Sequence, residues 1–113
     1  MILEKGEKVH IIERRRFPED VRRHFVGEVT RSSELAFRAR GYTWVFDTSV
    51  GQYVRRTEMR ERVIPIGDRL IINVISPDSK LEDIQYISHQ EKGLMVTDNE
   101  HFFLEINEFS TMR

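Results

Sequence analysis

The sequence predicts an all-β protein: a small, strongly bent barrel with a C-terminal β-hairpin and at most one short helix. Three observations lead there. Leu35-Ala36-Phe37-Arg38-Ala39-Arg40 alternates apolar and charged residues with the period of two that a half-buried strand requires. Turn-forming residues cut the chain into seven or eight short segments, the spacing of a small barrel or sandwich. Apolar runs stop after a few residues, far short of the ~20 needed to span a bilayer. The 113 residues suit one domain without internal repeats or linkers.

The elements follow in order. Turn residues at Glu4-Lys5-Gly6 open a first strand, Val9 to Glu13, which the arginine-rich stretch ending in Phe17-Pro18 breaks, since proline donates no ladder hydrogen bond. A second strand covers His24 to Thr30, and Arg31-Ser32-Ser33-Glu34 turns the chain into the third, Leu35 to Arg40. Gly41 then leaves two parities open. An unbroken period would put Arg38, Arg40, Tyr42, Trp44 and Phe46 on one face, the arrangement of a platform on which bases stack while cations track phosphates. A bulge at Gly41 would return Tyr42, Trp44 and Phe46 to the core with Leu35 and Phe37, and glycine's role as strand punctuation favours it.

Asp47 to Gln52 has turn chemistry and closes a hairpin onto Tyr53 to Arg56. The charged stretch 57–62 reads as an exposed strand or a loop, and Pro65 confines the next strand to an edge or a strand end. Leu70 to Ile75 is apolar on both faces, so it is expected to be the most buried strand. Ser79-Lys80-Leu81-Glu82 matches a capping box for a short helix, while Ile84 to Ser88 alternatively reads as a strand, favoured by its β-branched and aromatic content. Leu94 to Thr97 and Phe102 to Ile106 form a hairpin about the turn Asp98-Asn99-Glu100-His101.

Charge is divided along the chain although the net charge is −1. Residues 1–62 carry 14 Lys/Arg against 10 Asp/Glu, and residues 63–113 carry 4 against 9. Fourteen of the 18 cations are arginine, whose planar fork pairs bidentately with phosphate or carboxylate. The basic half can meet a polyanion or the acidic half of another copy. A pI of about 6.4 leans toward the second.

The candidate contact residues are Arg14, Arg15, Arg16, Arg22, Arg23, Arg38, Arg40 and Trp44. The first five place five cations within ten residues, either as a phosphate-contacting loop or as a solvated loop paired with Glu13, Glu19 and Asp20. Arg55, Arg56, Arg60 and Arg62, alternating with Glu58 and Glu61, read as an exposed strand whose charges discourage edge pairing. The absence of cysteine removes disulfides, thiolate metal sites and thiol nucleophiles. His10, His24, His89 and His101 form no close zinc pair, and His101 beside Asp98 and Glu100 reads as a polar hairpin tip. No serine lies in a nucleophile elbow and the glycines form no phosphate loop, so neither catalytic residues nor a metal or cofactor are expected.

The stretches Arg23-His24-Phe25-Val26-Gly27-Glu28-Val29, Gly41-Tyr42-Thr43-Trp44-Val45-Phe46-Asp47, Tyr53-Val54-Arg55-Arg56 and Leu94 to Asn99 with Phe102 to Phe109 are similar to a family of small uncharacterised bacterial proteins. That resemblance carries no activity or site. The strand Phe25-Val26-Gly27-Glu28-Val29 also resembles the glycine-bearing second strand of Sm-like and SH3-like small barrels. Sm proteins form RNA-binding rings, but Thr30-Arg31-Ser32-Ser33 departs from the acidic and asparagine positions of their uridine pocket.

The expected function is a non-catalytic binding module acting by self-association or by docking a protein partner, with single-stranded RNA or DNA binding as the alternative. With no apolar signal core after Met1, a cytoplasmic protein without membrane contact is expected.

Overall fold

The computed structural model describes residues 2–106. They form nine strands in two antiparallel sheets, and the chain divides after Pro77 into two compact units, each with its own sheet. The all-β expectation holds. Among the described residues no helix is long and apolar enough to cross a membrane.

The first unit contains β1 (Lys8–Glu13), β2 (Arg23–Ser32), β3 (Ala36–Asp47), β4 (Gln52–Arg55), β5 (Arg60–Pro65) and β6 (Leu70–Ile75). The strands run in the order β4-β3-β2-β1-β6, and β5 pairs with the first half of β3 while β4 pairs with the second. The sheet is not a closed barrel: β5 pairs with β3 and β6 with β1, with no β5–β6 ladder among the described residues. The expected closure is not seen because β5 and β6, joined through residues 66–69, each pair with a different strand and lie at separate margins.

One face of this sheet holds a hydrophobic core of Leu3, Val9, Ile11, Phe25, Val29, Phe37 and Ala39, flanked by Ile64, Leu70 and Ile72. The third strand does not change parity at Gly41. Its register runs unbroken, Glu28 opposite Arg40, Gly27 opposite Gly41 and Val26 opposite Tyr42. The irregularity sits instead in β2, between Val29 and Arg31. Gly41 is required by contact rather than by a bulge, since a Cβ there would lie 2.0 Å from the Val26 carbonyl oxygen. Tyr42, Trp44 and Phe46 therefore lie on the face opposite Phe37 and Ala39.

That opposite face is nevertheless buried around Trp44. Val26, Ile12, His10 and His24 are also buried there. The His24 ring stacks on Tyr53 with centroids 4.6 Å apart, and His10 meets it edge-on at 5.0 Å. His10 Nε2 lies 3.2 Å from His24 Nδ1, and Asn73 Nδ2 lies 3.3 Å from His10 Nδ1. The Asn73 amide donates to His10 Nδ1, so His10 carries its proton on Nε2 and donates to His24. His10 Nδ1, His10 Nε2 and His24 Nδ1 thus each have a partner, as burial demands.

Two further expectations are corrected. Leu35 is 81 % exposed, because it lies before β3 begins, in a turn where the Ser33 hydroxyl accepts from the Leu35 and Ala36 N–H groups. Leu70 to Ile75 is not the most buried strand. It is the edge strand β6, and Ile71 and Val74 are 45 % and 57 % exposed. Apolar composition reports what a strand tolerates; its place in the sheet decides what is covered.

The second unit contains β7 (Gln85–His89), β8 (Gly93–Thr97) and β9 (Phe103–Glu105) in a three-stranded meander, preceded by one 3₁₀ turn, Leu81–Asp83. The N-cap position falls on Lys80 rather than Ser79; Lys80 is extended and makes no side-chain cap bond. The strand alternative for this stretch is the one observed. The β8–β9 hairpin lies where expected, and its reversal is built on Asp98, whose Oδ1 accepts from the N–H groups of Glu100 and His101 at 3.0 and 2.7 Å. Asn99 takes the left-handed conformation at φ 67°, which asparagine tolerates better than most residues. The His101 Nδ1–H donates to Asp98 Oδ2 at 2.6 Å.

This turn is pH-sensitive with a definite sign. Burial would raise the Asp98 carboxyl, but hydrogen bonds from Glu100, His101 and Phe102 hold it well below the usual carboxylate range. The same bond to Asp98 raises His101. The carboxylate's contribution is present above its unfolded pKa of ~3.9 and lost as pH falls through the lower folded value; that of His101 is present below ~6.5 and lost as pH rises through its folded value. Amide exchange of residues 99–102 is expected to be slowest between about pH 4 and pH 6.5, after correction for intrinsic rates. Asp98→Asn is expected to flatten both limbs; an unchanged profile in that variant would refute the assignment.

Candidate functional site

The structure separates the eight candidate contact residues into several groups. Arg14, Arg15, Arg16 and Arg23 line one open groove of about 400 Å³ together with Glu13, Phe17, Asp20, Val21 and Arg69. Arg22 points elsewhere, its guanidinium 5.5 Å from the Phe46 ring centroid. Arg38 borders a separate hollow of about 180 Å³ beside Ser32, Ser33 and Val63. Arg40 stands across the ladder from Glu28 on one side and Glu61 on the other, between two opposite charges. Trp44 is 8 % exposed, and Tyr42, half-buried, has the Arg55 guanidinium over its ring at 4.4 Å. The alternating arginines and aromatics thus share a face without presenting bare rings.

The loop that builds the groove is held by its own acid. Asp20 Oδ2 accepts from the backbone N–H groups of Arg16 and Phe17 at 3.1 and 3.0 Å, and the Asp20 N–H returns a bond to the Phe17 carbonyl. Proline after Phe17 stiffens the reversal. Across from it, the Arg14 N–H donates to the Arg69 carbonyl at 2.8 Å, because β6 lies antiparallel beside β1 with Glu13 opposite Leu70. Arg15 donates to the Pro18 carbonyl at 2.7 Å, Arg14 to the Asp68 carbonyl and Arg69 to the Arg14 carbonyl. All three acceptors are neutral. No carboxylate among the described residues lies within ion-pair distance of Arg14, Arg15, Arg16, Arg23 or Arg69. The expected pairing with Glu13, Glu19 and Asp20 is not formed, since Asp20 is turned inward onto the loop backbone.

A smaller cavity of about 50 Å³ shares Glu13 and Arg23 with this groove and is lined further by Thr43 and Arg62. Thr43 is 6 % exposed, and its hydroxyl has no hydrogen-bond partner among the described residues.

The second feature is the uncovered margin of the sheet. β5 is an edge protected by Arg60, Glu61 and Arg62 and ended by Pro65, as its charge pattern implies. β6 has none of these. Leu70-Ile71-Ile72-Asn73-Val74-Ile75 carries no charge and no proline on an edge whose outer side is unpaired among the described residues. The charge division noted in the sequence also follows the structure: residues 1–77 hold 15 Lys/Arg against 11 Asp/Glu, and residues 78–113 hold 3 against 8.

Arg69 and the β6 edge were not legible as functional features. Arg69 sits alone after a turn signal, and only the return of the chain beside β1 brings it to Arg14. Among the described residues no three His, Asp or Glu side chains converge on a metal-sized site. No protein-family model matches the sequence, and no curated protein and no solved structure is significantly similar to it.

Proposed function

We propose that this chain is a non-catalytic binding module that self-associates head to tail, the β6 edge of one copy accepting the acidic C-terminal unit of the next. The bare β6 edge carries this reading: six uncharged residues, with Ile71 and Val74 about half exposed, on the margin that natural sheets otherwise blunt with charge or proline. We read the first sheet as a small bent barrel left open between β5 and β6, so the missing seam is the surface on which a partner strand adds. Strand addition supplies main-chain hydrogen bonds, and side chains at alternate positions supply specificity.

The partner is a second copy because charge selects it. Pairing one first unit with another would bring two basic surfaces together, whereas the C-terminal unit carries the opposite sign. Complementary charge orients such a contact and speeds its formation more than it tightens it. A head-to-tail contact closes into a ring only if its rotation permits.

Light scattering on a sizing column tests this. The wild-type chain is expected to elute above the 13.5 kDa monomer mass at low salt, with the assembled fraction falling as salt rises. Val74→Lys places a charge on the edge strand at a position 57 % exposed, opposite Val9 across the ladder, and it is expected to weaken association at least about tenfold, ~1.4 kcal/mol, with a circular dichroism melt to show that the fold is kept. A wild-type chain that stays monomeric at every salt and concentration overturns the proposal; so does a Val74→Lys variant that assembles as well as wild type.

A further inference from the structure

We infer that the groove between the 14–21 loop and Arg69 is a binding site for a nucleoside polyphosphate, with the phosphates on the guanidinium groups and the base against Phe17. The groove carries an excess of positive charge, although Glu13 stands opposite Arg23 across the ladder. Five arginines line it against two acidic residues, and one of those, Asp20, already accepts two backbone N–H bonds. All five cations are arginine, whose forked donors suit phosphate oxygens, and three of them direct donors only to neutral carbonyls. Phe17, 54 % exposed, lines the same groove and presents a flat apolar surface where a base can stack.

Size and charge density decide between a compact ligand and a strand. At about 400 Å³ the groove lies within the ~300–1,000 Å³ range of small-ligand sites. A diester chain brings a single negative charge per nucleotide, so a strand would put little charge into one local hollow and needs a long basic track. Two other candidate arginines do not extend one: Arg38 borders another hollow and Arg40 lies between Glu28 and Glu61. A terminal phosphate monoester alone brings about −1.5 to −2, and adjoining phosphates add to it in the same volume. The adjoining small cavity, with the unpartnered Thr43 hydroxyl and Arg23 in its lining, offers a further donor beside the groove.

Calorimetric titration of the full 113-residue chain at low salt tests the inference with ATP, AMP, tripolyphosphate and a ten-residue oligouridylate as probes. ATP is expected to bind, and AMP at least about tenfold more weakly, since AMP offers the arginines two fewer phosphates for charge-assisted hydrogen bonds. Arg15→Ala and Arg69→Ala are each expected to weaken ATP about tenfold or more, whereas Arg38→Ala, outside the groove, leaves it unchanged. Phe17→Ala is expected to weaken ATP while leaving tripolyphosphate at its wild-type affinity. Circular dichroism melts of each variant separate loss of binding from loss of fold. The inference is overturned by no ATP binding, by equal losses in Arg38→Ala and Arg69→Ala, or by an oligouridylate that binds more tightly than ATP. Because the groove and the β6 edge are read by different variants, failure here leaves the self-association proposal untouched, and the reverse holds too.

Discussion

Gly41→Ala is expected to destabilise the first unit by about 3 kcal/mol or more, the upper range for forcing an atom into a filled space. The added Cβ would meet the Val26 carbonyl oxygen at 2.0 Å and the Gly27 Cα at 2.4 Å, and both are backbone atoms of the paired strand. No rotamer change relieves such a contact; β2 and β3 must separate where Gly27 and Gly41 face each other. For a domain of this size the loss lowers Tm by on the order of 15 °C. Gly67→Ala is the matched control, since a Cβ there meets nothing within 4 Å and its φ lies outside the left-handed region. It is expected to be neutral within about 1 kcal/mol. Urea unfolding of both variants is the measurement, and equal midpoints would refute the close-approach account.

The second large effect is expected at the buried histidines. His24→Ala removes a ring stacked on Tyr53, leaves a cavity, and strips the acceptor from the His10 Nε2–H, for a total of about 3–5 kcal/mol. The pair acts as one unit, with Asn73 fixing the tautomer of His10 and His10 in turn fixing that of His24. The double variant His10→Ala/His24→Ala is therefore expected to cost less than the two single losses together, by about 1–2 kcal/mol. Strict additivity in urea unfolding would show that the two imidazoles do not share a bond.

These histidines illustrate how local signals fall short. In the sequence, His10 and His24 are two isolated residues without ligand spacing, and nothing nearby pairs them. Register does: Ile12 opposite His24 and His10 opposite Val26 bring the two rings onto one face as diagonal neighbours, and β6 brings Asn73 to His10. Gly41 is similar. Its need for a bare Cα comes from Gly27 across the ladder, so a reading of residues 35–46 alone sees a break where the strand continues.

What the sequence determined by itself were the properties set by neighbouring residues. Alternation in Leu35 to Arg40, turn chemistry at Asp47 and Asp98, and the apolar stretches of β1, β6 and β8 placed strands and reversals within a few residues of where they lie, because strand pleat and turn hydrogen bonds are short-range. The division of charge between the two units was legible for the same reason, being a sum along the chain. Strand order was not. It alone made Leu70 to Ile75 an edge instead of a centre, set Arg69 beside Arg14 and dispersed Arg38, Arg40 and Trp44 from the loop arginines. Burial and convergence depend on which distant segments pair, and no window of sequence contains both partners.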